Sequence, residues 1–165
     1  MGIPRRLSAY RGKWVILEWV NYQCPYVQKH YHASHRNMQR LQARAAQNGI
    51  VWLSICSSAR GKEGYFPPAQ ANARKQRLGA SPAAYLQDPM GSVGRMYGAR
   101  KTPDIRIISP QGTIEYAGGI DSIQSARAGD VKRAKNYVAM AISNIVSRKP
   151  IAIKKSQPYG CSVKY

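Results

Sequence analysis

The feature that most restricts this chain is an almost unbroken apolar run, Trp14 to Val20, which stops at Asn21 and hands over to Cys24-Pro25. The run is interrupted by Glu18 and falls far short of the ~20 residues that cross a bilayer, so it reads as a strand covered on both faces. Proline is tolerated in a first helical turn, where no intrahelical donor is needed, so a helix is predicted just after Cys24. Val27, Tyr31, Met38, Leu41 and Ala45 then recur at steps of three, four or seven, with a break over His32 to Asn37, and Asn48-Gly49 closes the element as a C-terminal cap. Ile50 to Cys56 is a second apolar strand. Strand, helix, strand in this order implies a right-handed parallel crossover with Cys24 where the first strand meets its helix.

Beyond this unit, Ser57 to Phe66 is polar and reads as a loop, Pro67 to Leu78 as a helix, Ala83 to Leu86 as a short strand and Val93 to Tyr97 as a short helical piece. Asp104 to Ser109 and Thr113 to Ala117, joined by Pro110-Gln-Gly112, form an antiparallel hairpin. Val131, Ala134, Val138, Ala141, Ile142 and Ile145 place one apolar stripe on a closing helix. Parallel pairing at the front and a hairpin at the back give a mixed central sheet with helices on both faces, a three-layer α/β/α architecture. The 165 residues divide into one domain, 1–149, and an arm, 150–165, either extended on the domain or disordered.

Charge is the other conspicuous property. Against 26 Lys and Arg stand only 7 Asp and Glu, a net +19, which attracts nucleic acid and other polyanions without regard to sequence. The basic residues are nevertheless scattered, with no block of five or six and no aromatic RNA-binding motif, so a solvated basic surface is the reading adopted here. Three cysteines are too few for a secreted disulfide scaffold. Met1 to Gly12 lacks the apolar core and cleavage site of a signal peptide, so a cytoplasmic protein without membrane partners is expected.

Cys24 is the chemical candidate. At a helix start, unpaired amides and the helix dipole favour thiolate, with Lys29 and His30 adding positive potential one to two turns on. Cys161, in Tyr159-Gly-Cys-Ser-Val, is the candidate resolving thiol, carried on a glycine-flanked tail able to bring a second sulfur to Cys24 or to a partner chain. Cys56 ends the neighbouring strand and reads as a core thiol. His30 and His32 do not share a helical face, and no cysteine pair accompanies His32 and His35, so no metal or other cofactor is assigned. Gly61-Lys62 lacks the remainder of a phosphate loop.

Lys13 to Tyr31, KWVILEWVNYQCPYVQKHY, resembles the W-x-N-x-x-C-P-x-x-x-K-H-Y signature of a peroxiredoxin-like branch of the redoxin (alkyl hydroperoxide reductase/thiol-specific antioxidant) family, in the thioredoxin-like superfamily. The resemblance continues through Asn37-Met-Gln, Val51-Trp-Leu-Ser with Ser57-Ser58, Gly94-x-x-Tyr97-Gly98-Ala99, Thr102-Pro103, Tyr116-Ala-Gly-Gly-Ile-Asp121 and Pro158 to Tyr165. It implies a thioredoxin-like fold, with Cys24 as the first cysteine of a C-x-x-C pair and Thr102-Pro103 as a cis-proline loop facing it, where the preceding backbone pairs with a substrate strand. His30, in the family's K-H-Y, is the candidate local acid or base.

Departures from the family pattern shape the functional expectation. Val27 stands where the second thiol of the pair would be, so a dithiol cycle cannot run inside the motif. Asn21 and Leu17 replace the Thr and Pro that precede a peroxidatic cysteine by three and seven residues, which argues against peroxide reduction by that geometry. The recognisable part begins at Leu7, without the N-terminal hairpin usual in redoxins, which predicts an uncovered sheet edge and contacts for a homodimer. The reading is a thiol-dependent redox protein using Cys24 as nucleophile on a disulfide or a peroxide. It would be resolved by Cys161 or by an external thiol partner, thioredoxin or glutathione, with an oxidised protein or peroxide as substrate. The alternatives are a non-catalytic binding module on the same scaffold and a basic nucleic-acid-binding protein.

Overall fold

A computed structural model describes residues 2–165; Met1, with which the signal-peptide reading begins, lies outside the described residues. The central sheet has the order β3-β2-β1-β5-β6. Its strands are β1 (Val15–Trp19), β2 (Val51–Cys56), β3 (Ala84–Gln87), β5 (Asp104–Ile108) and β6 (Ile114–Gly118). β1 pairs in parallel with β2, and β2 with β3, while β5 runs antiparallel to both β1 and β6. The central position of β1 explains its unbroken apolar pattern: it has a neighbour on either edge and a covered face on either side, and all five residues are buried.

The side chains of Ile16, Val20, Trp52, Ile105, Ile107 and Tyr116 pack against one helical layer. That layer consists of α1 (Pro25–Tyr31), α2 (Asn37–Gln47) and α5 (Tyr137–Val146), which contribute Val27, Tyr31, Met38, Leu41, Val138 and Ile142. The opposite face, built on Val15, Leu17, Trp19, Leu53 and Ile55, is covered by a 3-10 turn at Leu7–Tyr10 and by Tyr97 and Ala99 after α4 (Ser92–Met96). α3 (Pro68–Arg77) connects β2 to β3. No helix among the described residues is long and apolar enough to cross a membrane.

One expectation is corrected. The closing helix does not reach back to Val131. The chain there makes a 3-10 turn, Ala128–Lys132, and α5 starts only at Tyr137, where the Asn136 side chain accepts the Ala139 N–H at 2.9 Å. Asp130 holds the earlier segment in its tight turn by accepting from Ser125 Oγ at 2.6 Å and from Arg127 and Arg133. The structure also holds a pair of strands the sequence pattern does not announce: β4 (Lys101–Thr102) and β7 (Cys161–Ser162) form their own antiparallel ladder, with Lys101 opposite Ser162 and Thr102 opposite Cys161.

The arm from Pro150 lies on the domain throughout. It first runs beside β6, where Ala117 N–H donates to Lys154 O at 3.1 Å and Ser156 N–H to Ala117 O at 3.2 Å, and then crosses to β4.

Candidate active site

The site is assembled where β1 ends. Asn21 shapes the turn, accepting the Cys24 N–H on its carbonyl at 3.0 Å and the Gln23 N–H on Oδ1 at 2.9 Å. Cys24 is the N-cap of α1, with Pro25 in the first turn. Its carbonyl receives the N–H groups of Val27 at 3.0 Å and Gln28 at 2.9 Å, while its thiol makes no cap hydrogen bond and donates to Thr102 O at 3.4 Å. Cys24 has no exposed surface. The helix end expected from the sequence is therefore present, but two of its first amides bond the cysteine's own carbonyl, and the sulfur faces the cis Thr102-Pro103 loop.

The same loop carries the second sulfur. Thr102 lies opposite Cys161 in the β4–β7 ladder, and Thr102 Oγ1 donates to Cys161 O at 3.4 Å. Gly160 makes the approach feasible: it adopts φ +139°, and a Cβ there would stand 2.0 Å from Thr102 O. Cys161 is half-buried and packs against the core cluster that contains Cys24. Burial, followed by the neighbouring Cys24, pushes the Cys161 thiol up to about 12; Glu63 acts in the same direction and Lys164 against it. Cys56 is buried at the end of β2 and donates to Gly64 O at 3.3 Å.

His30 belongs to a different assembly, at the far end of α1. Its Nδ1 pairs with Asn37 Nδ2 at 2.8 Å, and its Nε2 lies 3.4 Å from Tyr159 OH. Burial, with the Lys29 charge second, lowers its pKa to about 3, so the ring is neutral at ordinary pH. Lys29, itself buried, donates to Tyr159 OH at 2.7 Å and Ile123 O at 2.8 Å, and stands 3.3 Å from Asp121 Oδ2. Oδ2 has no aligned hydrogen bond and is held through this ion pair, whereas Oδ1 accepts from Tyr159 OH at 2.5 Å. The cluster pins Tyr159, two residues before Cys161. No hydrogen bond among the described residues joins His30 to Cys24.

Sequence reasoning missed a further buried acid. Glu18 faces the helical layer from β1 and accepts from Tyr31 OH at 2.8 Å, Ser54 Oγ at 2.8 Å, Trp52 Nε1 at 2.9 Å and Gln42 Nε2 at 3.5 Å. Burial raises its pKa and the four donors pull the other way. The available signal was a single charge inside a strand otherwise covered on both faces. His32 is exposed, with its Nδ1 at 2.7 Å from Ser34 Oγ, and His35 is half-buried. No group of three or more metal-binding side chains occurs among the described residues.

Comparison with known proteins places this geometry. The profile of the AhpC/TSA family matches residues 2–117. The chain belongs to the AhpC/TSA family. Its similarity to solved structures shows the fold: an uncharacterized conserved protein from Geobacillus kaustophilus superposes with a TM-score of 0.78 at 21% identity, covering 98% of this chain and 82% of that one. A hypothetical protein of Sinorhizobium meliloti 1021 follows at 0.75 and 19%, covering 96% and 84%. The thioredoxin domain of a thiol-disulfide oxidoreductase from Bacteroides vulgatus gives 0.53 and 13%, covering 77% and 82%. No curated protein matches the chain significantly. The fold is thus thioredoxin-like α/β, and membership of this redoxin family supports a thiol-redox function in general terms. The family match includes Cys24 and Thr102-Pro103 and stops before Cys161.

Proposed function

We propose that this AhpC/TSA-family protein is a thiol–disulfide oxidoreductase whose redox couple is Cys24 and Cys161. The observation that carries the reading is the register of the two short strands, Thr102 opposite Cys161, because Thr102 O is also the acceptor of the Cys24 thiol. Thr102 thus lies beside both the helix-capping sulfur and the arm residue that carries the second one. In the oxidising direction a disulfide RSSR is exchanged for the Cys24–Cys161 bond and two RSH are released; the reverse passes two electrons from two thiols to the protein. Thioredoxin and glutathione are the reductant classes this cycle would use, and oxidised protein or small disulfides its oxidants. A peroxide would have to reach Cys24 directly, and neither the covered sulfur nor the Asn21 and Leu17 replacements favour that.

The full burial of Cys24 is also the observation that favours a second reading, a binding module that uses the scaffold without redox turnover. Diamide treatment followed by peptide mapping separates the two. The oxidoreductase loses two hydrogens and yields one cross-linked peptide pair containing Cys24 and Cys161, absent from Cys24→Ser and Cys161→Ser. A wild-type protein that stays fully reduced, or links Cys56 instead, refutes the couple.

A further inference from the structure

We infer that residues 157–165 occupy the place of a bound polypeptide strand, so that the Cys24–Cys161 couple serves compact thiols and disulfides, which exchange at the Cys161 sulfur. The inference rests on the proposed couple and adds its substrate class. An exposed strand edge beside a reactive sulfur is a natural docking rail for an extended peptide, because the unpaired backbone groups supply the affinity. Here the rail at Lys101–Thr102 is already taken by Cys161–Ser162 of the same chain.

The arm is fastened on both sides of that pairing. Upstream, Tyr159 is held by Asp121 and Lys29. Downstream, Val163 N–H donates to Arg100 O at 3.1 Å, and Lys164 O accepts the Ala59 N–H at 2.7 Å. The terminal Tyr165 donates to Ala99 O at 2.6 Å and carries the Arg95 guanidinium 4.4 Å from its ring centroid. Gly94 is required beneath that ring, since a Cβ there would stand 2.5 Å from Tyr165 OH. With the arm down, Cys24 has no exposed surface and Cys161 is half-buried. Disulfide exchange needs access to the attacked sulfur, and of this pair only Cys161 has exposed surface.

The cycle follows with its electrons balanced. A small thiolate RS⁻ attacks Cys161 Sγ of the oxidised couple, the S–S bond breaks, and Cys24 leaves with the electron pair and takes a proton. A second RS⁻ attacks the RS sulfur of the mixed disulfide, releasing RSSR and the Cys161 thiolate, which is protonated in turn. A polypeptide thiol that must pair beside Thr102 cannot do so until β7 and its anchors lift.

The test uses the protein oxidised to the Cys24–Cys161 disulfide and reduced either by glutathione or by a reduced, unfolded ribonuclease at equal thiol concentration. Acid-quenched samples are mapped by mass spectrometry. Glutathione is expected to react at least about ten-fold faster per thiol, with its first adduct on Cys161. Tyr165→Ala, which removes the ring from Ala99 and Arg95 and leaves the Thr102–Cys161 register in place, should raise the ribonuclease rate about ten-fold. Equal rates for the two reductants with wild type, a first adduct on Cys24, or a folded Tyr165→Ala protein that refuses ribonuclease as wild type does would overturn the inference. Failure of the Cys24–Cys161 disulfide to form would surface earlier, during oxidation, and would strike the proposed couple instead.

Discussion

Two carboxyl groups are buried on opposite sides of α1, and they are solved differently. Glu18 sits in the main core among four neutral donors, Tyr31, Gln42, Trp52 and Ser54, with no cation in its shell. Asp121 sits under the arm against the buried Lys29 ammonium and the Tyr159 hydroxyl. A carboxyl surrounded by neutral donors is held by hydrogen bonds alone; burial raises the Glu18 pKa while the four donors pull the other way. A carboxylate facing a buried ammonium commits both partners to charge, and removing either strands the other. The difference teaches where rigidity has been placed: the neutral network ties β1 and β2 to the helical layer, and the ionic one fixes the strap that carries the second sulfur.

The comparison is broken most severely by Lys29→Met, which leaves Asp121 unpaired. It should cost about 3–5 kcal/mol in urea unfolding and accelerate amide exchange across 157–165, whereas an unchanged midpoint would mean the pair contributes nothing. Tyr159→Phe keeps the ring and removes one hydroxyl from Asp121, Lys29 and His30, so a smaller loss of about 1–3 kcal/mol is expected, again with faster exchange confined to the arm.

Acid titration sharpens the contrast further. The unfolded chain protonates His30 near its ordinary 6.5, while the folded protein resists until about 3. Its contribution is therefore complete above pH 6.5 and is lost as pH falls toward 3, and His30→Gln should flatten that limb of the stability profile. The smallest effect is expected from Glu18→Gln, whose amide can accept from Trp52 and Ser54 and donate to Tyr31. Because burial raises the Glu18 pKa above 4.5, the wild type loses stability as pH rises from 4.5 through the folded value. The Gln variant should gain on it over that range; a constant difference would show that Glu18 does not titrate there.

Much of the framework was legible because it is local. The apolar run ending at Asn21, the Pro25 start and the Gly49 stop fix strand, helix and strand with the cysteine between them. Asp104 to Gly118 announces its hairpin through Pro110-Gln-Gly112. What escaped was carried by distant partners. Nothing near Cys161 states that Ser162 will face Lys101, because a two-residue ladder has no pattern of its own, and the arm's course depends on Gly160 and Gly94 giving way to groups about sixty and seventy residues apart from them. Tertiary burial likewise decided Glu18 and His30. Glu18 showed only as a flaw in a strand, and His30 as a member of a motif near the cysteine, whereas its ring nitrogens are used by Asn37 and Tyr159. The α5 start was misplaced because Val131 and Ala134 fit a helical stripe, while Asn136 and Asp130 set the actual boundary.

The central claim is a two-sulfur couple between the cap of α1 and the arm. Its most direct measurement is the equilibrium of the protein with reduced and oxidised glutathione over a wide range of ratios, with every cysteine state read by mass spectrometry. The account predicts one reversible two-electron transition between the Cys24–Cys161 dithiol and disulfide, unchanged by Cys56→Ser. Glutathione accumulating on Cys24 or Cys161 at all oxidising ratios, with no cross-linked peptide at any of them, would contradict it.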